Sequence, residues 1–196
     1  LLFVDEGQRV PEIGINLKIL HDELPQLKVL VTGSSSFLLS GSVTEALTGR
    51  KIVHTLLPFS IEELSSLNNE FELNDQLNER LIFGSYPKVV TLNGIEDKEE
   101  YLREISTSYI YKDILELEQI KYPLKIRDLL KLLAYQVGSQ VSIHELSNQL
   151  KINRETVERY IYLLEQSFVI FRLSAFSSNL RKEVTKSDKF YFYDNG

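Results

Sequence analysis

The stretch LLFVDEGQRVPEIGINLKILHDELPQLKVLVTGSS, residues 1–35, decides the fold of the front of the chain. Leu1 to Val4 is an unbroken apolar run that stops at two carboxylates, Asp5 and Glu6. That is the pattern of a strand buried on both faces whose carboxyl end meets water. Pro11 suits a first helical turn, and Ile13, Leu17, Leu20 and Leu24 recur at helical spacing until Pro25. Leu27 to Thr32 reads as a second buried strand, ended by Gly33. Strand, short helix and strand in that order predict a βαβ unit and so a parallel α/β sheet. Ligands of such sheets gather at the carboxyl ends of the strands, where Asp5, Glu6 and Thr32 to Ser36 all fall.

Working outward, Ser42 to Leu47 reads as a short helix and Lys51 to Leu56 as a third strand. Pro58-Phe59-Ser60 breaks the chain before a helix over Ile61 to Leu67. Glu70 to Asn93 reads as helical with an interruption at Gly84-Ser85-Tyr86-Pro87, and Glu96 to Ile120 as one long connector helix. After a boundary near Tyr122-Pro123 the spacing predicts three helices. The first, Ile126 to Val137, turns Leu129, Leu130, Leu133 and Val137 inward. The second opens at a capping box, Ser142 to Glu145, and ends at Leu150. The third is capped by Asn153 and carries Val157, Ile161 and Leu164 inward. Only Lys151 and Ile152 separate the last two, the spacing of a tight helix-turn-helix. Phe168 to Ala175 and Lys189 to Tyr193, aromatic and β-branched, predict two paired strands around the loop 176–188. Three helices followed by such a ribbon make a winged helix. The expected architecture is thus α/β plus α+β: a partial parallel sheet over residues 1–67, a helical connector or lid over 68–121, and a winged helix over 122–196.

Of the 196 residues 43% are apolar and 26% charged, ordinary values for a globular protein. No apolar run approaches the eighteen or so residues of a membrane span, and the opening LLFV meets Asp5 and Glu6 at once. This predicts no membrane partner and a cytoplasmic setting. With no cysteine and only the scattered His21, His54 and His144, any metal would be held by oxygen. The chain contains no methionine and opens inside an apparent strand, so it reads as an internal piece of a longer protein. Residues 1–120 hold 10 basic and 20 acidic residues, whereas 121–196 hold 12 and 8. Such asymmetry is either a nucleic-acid-binding half joined to an acidic one or a chance of size.

An apolar strand ending in Asp5-Glu6 has the form of the acidic Walker B strand of a hydrolytic P-loop NTPase. One carboxylate there holds Mg²⁺ and its neighbour polarises the attacking water against the γ-phosphate. The plainer reading is a solvated loop after a strand. Thr32-Gly33-Ser34, one βα unit on, fits a sensor of the γ-phosphate, or else a Ser/Gly-rich turn. Arg50, in Leu47-Thr48-Gly49-Arg50, is either a finger to nucleotide, in cis or from a neighbouring subunit, or an ordinary surface arginine. In the winged helix, Arg154 and Arg159 face outward beside Glu155 and Glu158, and two acids there oppose phosphate contact. Arg181, Lys182, Lys186 and Lys189 of the wing are the better DNA-facing set.

The blocks LLFVDEGQRVPEIG (1–14), LKVLVTGSSSFLL (27–39), LTGRKIVHTLLPFSIEEL (47–64), GSYPKVV (84–90) and NLRKEVTKSDKFYFYDNG (179–196) run in order over essentially the whole chain. Together they resemble the prokaryotic AAA+-type ATP-binding proteins that carry a winged helix and a C-terminal domain thought nuclease-like. The resemblance implies ATP and Mg²⁺ as cofactors, Asp5 as the magnesium-holding residue, Glu6 as the water-activating one, Ser34 or Ser35 as sensor and Arg50 as candidate finger. It also implies a possible homo-oligomer and, through the winged helix, a link to DNA. One departure stands out: no G-x-x-x-x-G-K-[ST] phosphate loop occurs in the chain. The reading is therefore the back half of an AAA+-type ATPase that switches conformation with nucleotide, itself expected to bind ATP weakly and not hydrolyse it. The rival is a non-enzymatic winged-helix DNA-binding regulator whose ATPase core has degenerated.

Overall fold

The computed structural model describes residues 1–33, 47–117, 120, 122–174 and 187–196. They fall into two compact units, Leu1–Thr55 and Leu56–Gly196.

In the first unit β1 (Leu2–Val4) and β2 (Val29–Val31) pair in parallel, Val4 opposite Val31. Between them run a 3₁₀ turn, Gly7–Arg9, and α1 (Ile13–Glu23). This is the βαβ unit that the alternation of apolar runs predicted. Ile13 and Leu17 from α1 and Leu47 are buried, with Val4, Val29 and Val31 packed on them. The strands are not buried on both faces as expected. Phe3 and Leu30, which point away from α1, are 56% and 52% exposed, because the helix covers only the face carrying every second residue. The expected third strand is also corrected. Residues 51–57 pair with nothing as a ladder, and Ile52, Val53 and Leu56 are exposed. An apolar, β-branched run becomes a strand only where a partner edge receives its amides. The short helix expected over Ser42 to Leu47 lies outside the described residues but for Leu47, which begins a turn.

The second unit opens with four short helices: α2 (Ile61–Ser65), α3 (Glu70–Asp75), α4 (Leu77–Phe83) and α5 (Pro87–Thr91). α2 and α3 each begin in a full capping box, Ser60 with Glu63 and Asn69 with Glu72, which satisfies amides that no turn precedes. The interruption foreseen at Gly84 to Pro87 is the turn between α4 and α5, with Pro87 at the start of the latter. The connector is α6 (Ile95–Leu117), to which α4 and α5 both pack. The buried Lys98 ammonium of α6 pairs with Glu79 of α4.

α7 (Pro123–Tyr135), α8 (Ile143–Leu150) and α9 (Arg154–Gln166) follow, then β3 (Ile170–Leu173) and β4 (Lys189–Phe192), antiparallel with Ile170 opposite Phe192. The Ser142 and Asn153 side chains cap α8 and α9 by accepting from the amides of Glu145 and Thr156 at 3.3 and 2.8 Å. Ile126, Leu129, Leu133, Leu146, Leu150, Val157, Ile161 and Leu164 are buried with Ile170 and Phe190 in one core. Val137, expected inward, is exposed: α7 ends at Tyr135, so Val137 no longer shares the helix's period. Among the described residues no helix is long and apolar enough to cross a membrane.

Candidate functional site

The register of the parallel pair builds the site. Since Val4 lies opposite Val31, the first polar residue after each strand, Asp5 and Thr32, is brought to the same end of the sheet. The ladder continues one step past the strands, with the Thr32 amide donating to Val4 O at 2.9 Å and the Gly7 amide to Thr32 O at 2.8 Å. The Thr32 hydroxyl then donates to Asp5 Oδ1 at 2.5 Å, and the Glu6 amide donates to that same hydroxyl oxygen at 3.4 Å. Thr32 thus ties together the two acids that the sequence singled out. Glu6 sits in the left-handed region at φ 53°, a conformation that costs a non-glycine residue about 1 kcal/mol and is held here by the ladder on either side. Its carboxylate faces Arg9 at 3.6 Å across a solvent-exposed gap, a pair worth at most about 1 kcal/mol.

A carboxylate beside a hydroxyl at the open end of a parallel pair fits a hard, oxygen-preferring cation that keeps most of its water, as Mg²⁺ does. Asp5 would hold it, with Thr32 beside it. Among the described residues no three acids or histidines cluster as an all-protein metal site would require.

Of the other residues foreseen, Arg50 lies away from this end. Its guanidinium donates to Asp22 Oδ1 at 3.1 Å, and Asp22 sits in the last turn of α1. A helix linking parallel strands starts at their carboxyl ends and finishes at their amino ends. Arg50 is therefore placed about one helix length, roughly 16 Å at 1.5 Å per residue, from Asp5. The unit does not bring the two together in cis. Ser34 and Ser35 lie outside the described residues, as do Arg181, Lys182 and Lys186. Arg154 is engaged by Glu158 at 3.9 Å on the exposed face of α9, and Arg159 is likewise not free. Lys189 stands at the start of β4 opposite Leu173. The sequence placed Thr32 at this end of the sheet, in the sensor stretch Thr32-Gly33-Ser34, but reading for periodicity missed its hydrogen bond to Asp5. The signal that could have found it is the alignment of the two apolar runs at their last residue.

The sequence model of a family described as an AAA domain matches residues 1–65, and that of a family described as a domain of unknown function (DUF8612) matches residues 74–196. An uncharacterized protein of Methanocaldococcus jannaschii is 29% identical over 192 residues, which take in 90% of this chain and 43% of that protein. An uncharacterized protein of Mycobacterium tuberculosis is 27% identical over 198 residues, 100% of this chain and 43% of its own. One of Haemophilus influenzae is 27% identical over 177 residues, 86% and 44% respectively. The chain thus spans less than half the length of these relatives. No solved structure matches it.

Proposed function

Because the chain belongs to the family described as a domain of unknown function (DUF8612) and its front is related to AAA domains, we propose that it is the back half of an AAA-type, Mg²⁺-dependent ATPase. The observation that carries this reading is the Thr32 hydroxyl on Asp5 at the carboxyl end of β1, with Glu6 next in line. In this reading Asp5 holds the cation that neutralises phosphate charge. Glu6 accepts the proton of the attacking water, and Thr32 orients both acids. Ser34 or Ser35 remains the proposed sensor. Arg50, bound to Asp22, is proposed as a finger only to a neighbouring subunit, which requires at least a dimer. Closure around nucleotide is proposed to alter the helical unit and the winged helix formed by α7 to β4.

The test is magnesium-dependent ATP hydrolysis by residues 1–196 preceded by their upstream coding sequence, against Glu6→Gln. Hydrolysis lost about 10²-fold or more with nucleotide still bound supports the reading. Residues 1–196 alone, which carry no phosphate loop, are expected to show no micromolar ATP binding by calorimetry, since most triphosphate contacts come from that loop. If the longer protein binds no nucleotide, the regulator reading replaces this one. One observation favours that rival: the Glu6 carboxylate is turned to Arg9.

DNA contact through the winged helix is proposed to rest on the wing's basic residues rather than on α9, whose Arg154 is engaged by Glu158. A shift of labelled duplex at low salt that weakens steeply as salt is raised is the expected result. A salt-independent shift, or none, would remove DNA from the reading.

A further inference from the structure

Three stretches far apart in sequence meet at the turn between α4 and α5. Gly84 ends α4 at φ 74°, ψ −161°, a backbone that only glycine adopts without strain. The next amide, Ser85 N–H, donates to Asp194 Oδ2 at 2.7 Å, while the Ser85 carbonyl accepts from the Phe59 amide at 3.0 Å. The second carboxylate oxygen of Asp194 accepts from the Gly196 amide at 2.9 Å. Gly84 is required by space as well as by conformation, and Gly196 by space. A Cβ on Gly84 would stand 1.7 Å from Asp194 Oδ1, and one on Gly196 would stand 2.2 Å from the Phe83 carbonyl oxygen. Asp194 is in turn fixed to the ribbon. It follows Tyr193, whose amide donates to Val169 O at 3.2 Å and whose ring packs edge-on against Phe168 at 5.9 Å.

We propose that Asp194 is a latch that couples residues 58–60 to the end of β4 through the single residue Ser85. Ser85 is held on both sides, its N–H by the carboxylate at the end of the ribbon and its C=O by the Phe59 amide. A displacement of Phe59 pulls on the Ser85 carbonyl, in the Ser85–Tyr86 peptide, and reaches the N–H that Asp194 grips, in the Gly84–Ser85 peptide, through the Ser85 Cα that the two planar units share. Asp194 is thus engaged in backbone contacts from both oxygens and is a positioning residue. Its use as a relay for nucleotide-driven movement rests on the ATPase reading, but the latch itself does not.

The test is residue-resolved hydrogen exchange on residues 1–196, without nucleotide, for the native chain, Asp194→Asn and Gly84→Ala. The first variant replaces a two-sided acceptor by a group with one acceptor and one donor. The second drives a methyl into the carboxylate from the opposite side. In both, the amides of Ser85 and Phe59 are expected to exchange about tenfold faster or more, in step, while those of Leu146, Ile161 and Leu164 keep their native rates. A faster Ser85 with an unchanged Phe59 would overturn the coupling, as would unchanged rates at both amides. A uniform rise through α8 and α9 in both variants would make Asp194 a general support of the core and equally overturn the latch.

Discussion

Thr32 presents one oxygen to two acids, donating a hydrogen bond to the Asp5 carboxylate and accepting one from the Glu6 amide. Thr32→Val keeps the shape and removes both contacts. Because the site is open to water, the loss in stability is expected to stay near 1 kcal/mol by urea denaturation. ATP hydrolysis in the upstream-extended protein is expected to fall roughly tenfold or more, as loosely held acids lose their alignment. Unchanged turnover would leave Thr32 a purely structural ladder residue. The two acids were legible in sequence because an abrupt change from apolar to charged is visible in one dimension. Thr32 was legible at the same end of the sheet, but its bond to Asp5 was not, since that depends on strand register, which pattern fixes only once the partner strand is known. Arg50 shows what a linear reading leaves open. Its place in Leu47-Thr48-Gly49-Arg50 suggested a finger in cis or from a neighbouring subunit, and its pairing with Asp22 in the last turn of α1 was not visible in one dimension.

At the scale of elements, the helices were the readable part, since a cap and a 3.6-residue period are local. Ser142 and Asn153 cap where the sequence placed caps, and Val157, Ile161 and Leu164 face inward as their spacing required. Lys51 to Leu56 was misread because its β-branched, apolar content carries no information about a partner edge. Lys151, between α8 and α9, holds the left-handed conformation at φ 56° that closes a helix. Lys151→Gly is expected to stabilise the second unit by up to about 1 kcal/mol by relieving that strain. Asn153→Ala is expected to cost about 1 kcal/mol by orphaning the Thr156 amide. Both are read as shifts of the urea midpoint at constant slope. A destabilising Lys151→Gly would mean that the lysine side chain contributes more than its backbone costs.

For the whole molecule, the two units hold, among the described residues, cores of unequal size. The first buries Ile13, Leu17 and Leu47 against one face of a two-stranded sheet and leaves Phe3 and Leu30 in water. The second contains the continuous core of α7, α8, α9 and the ribbon. A small core with an open sheet face has little to set against chain entropy, whereas the larger one closes around side chains with no exposure at all. Leu164, wholly buried, tests whether the cores stand separately. Leu164→Ala is expected to cost the second unit about 2–5 kcal/mol, a large share of the roughly 5–15 kcal/mol that holds a domain together. Followed in urea by the amide signals of Ile161 and Val31, the variant should lower the midpoint at Ile161 and leave that at Val31 in place. Equal shifts at both positions would mean that the units unfold as one, and that the first relies on the second for the stability its own core does not supply.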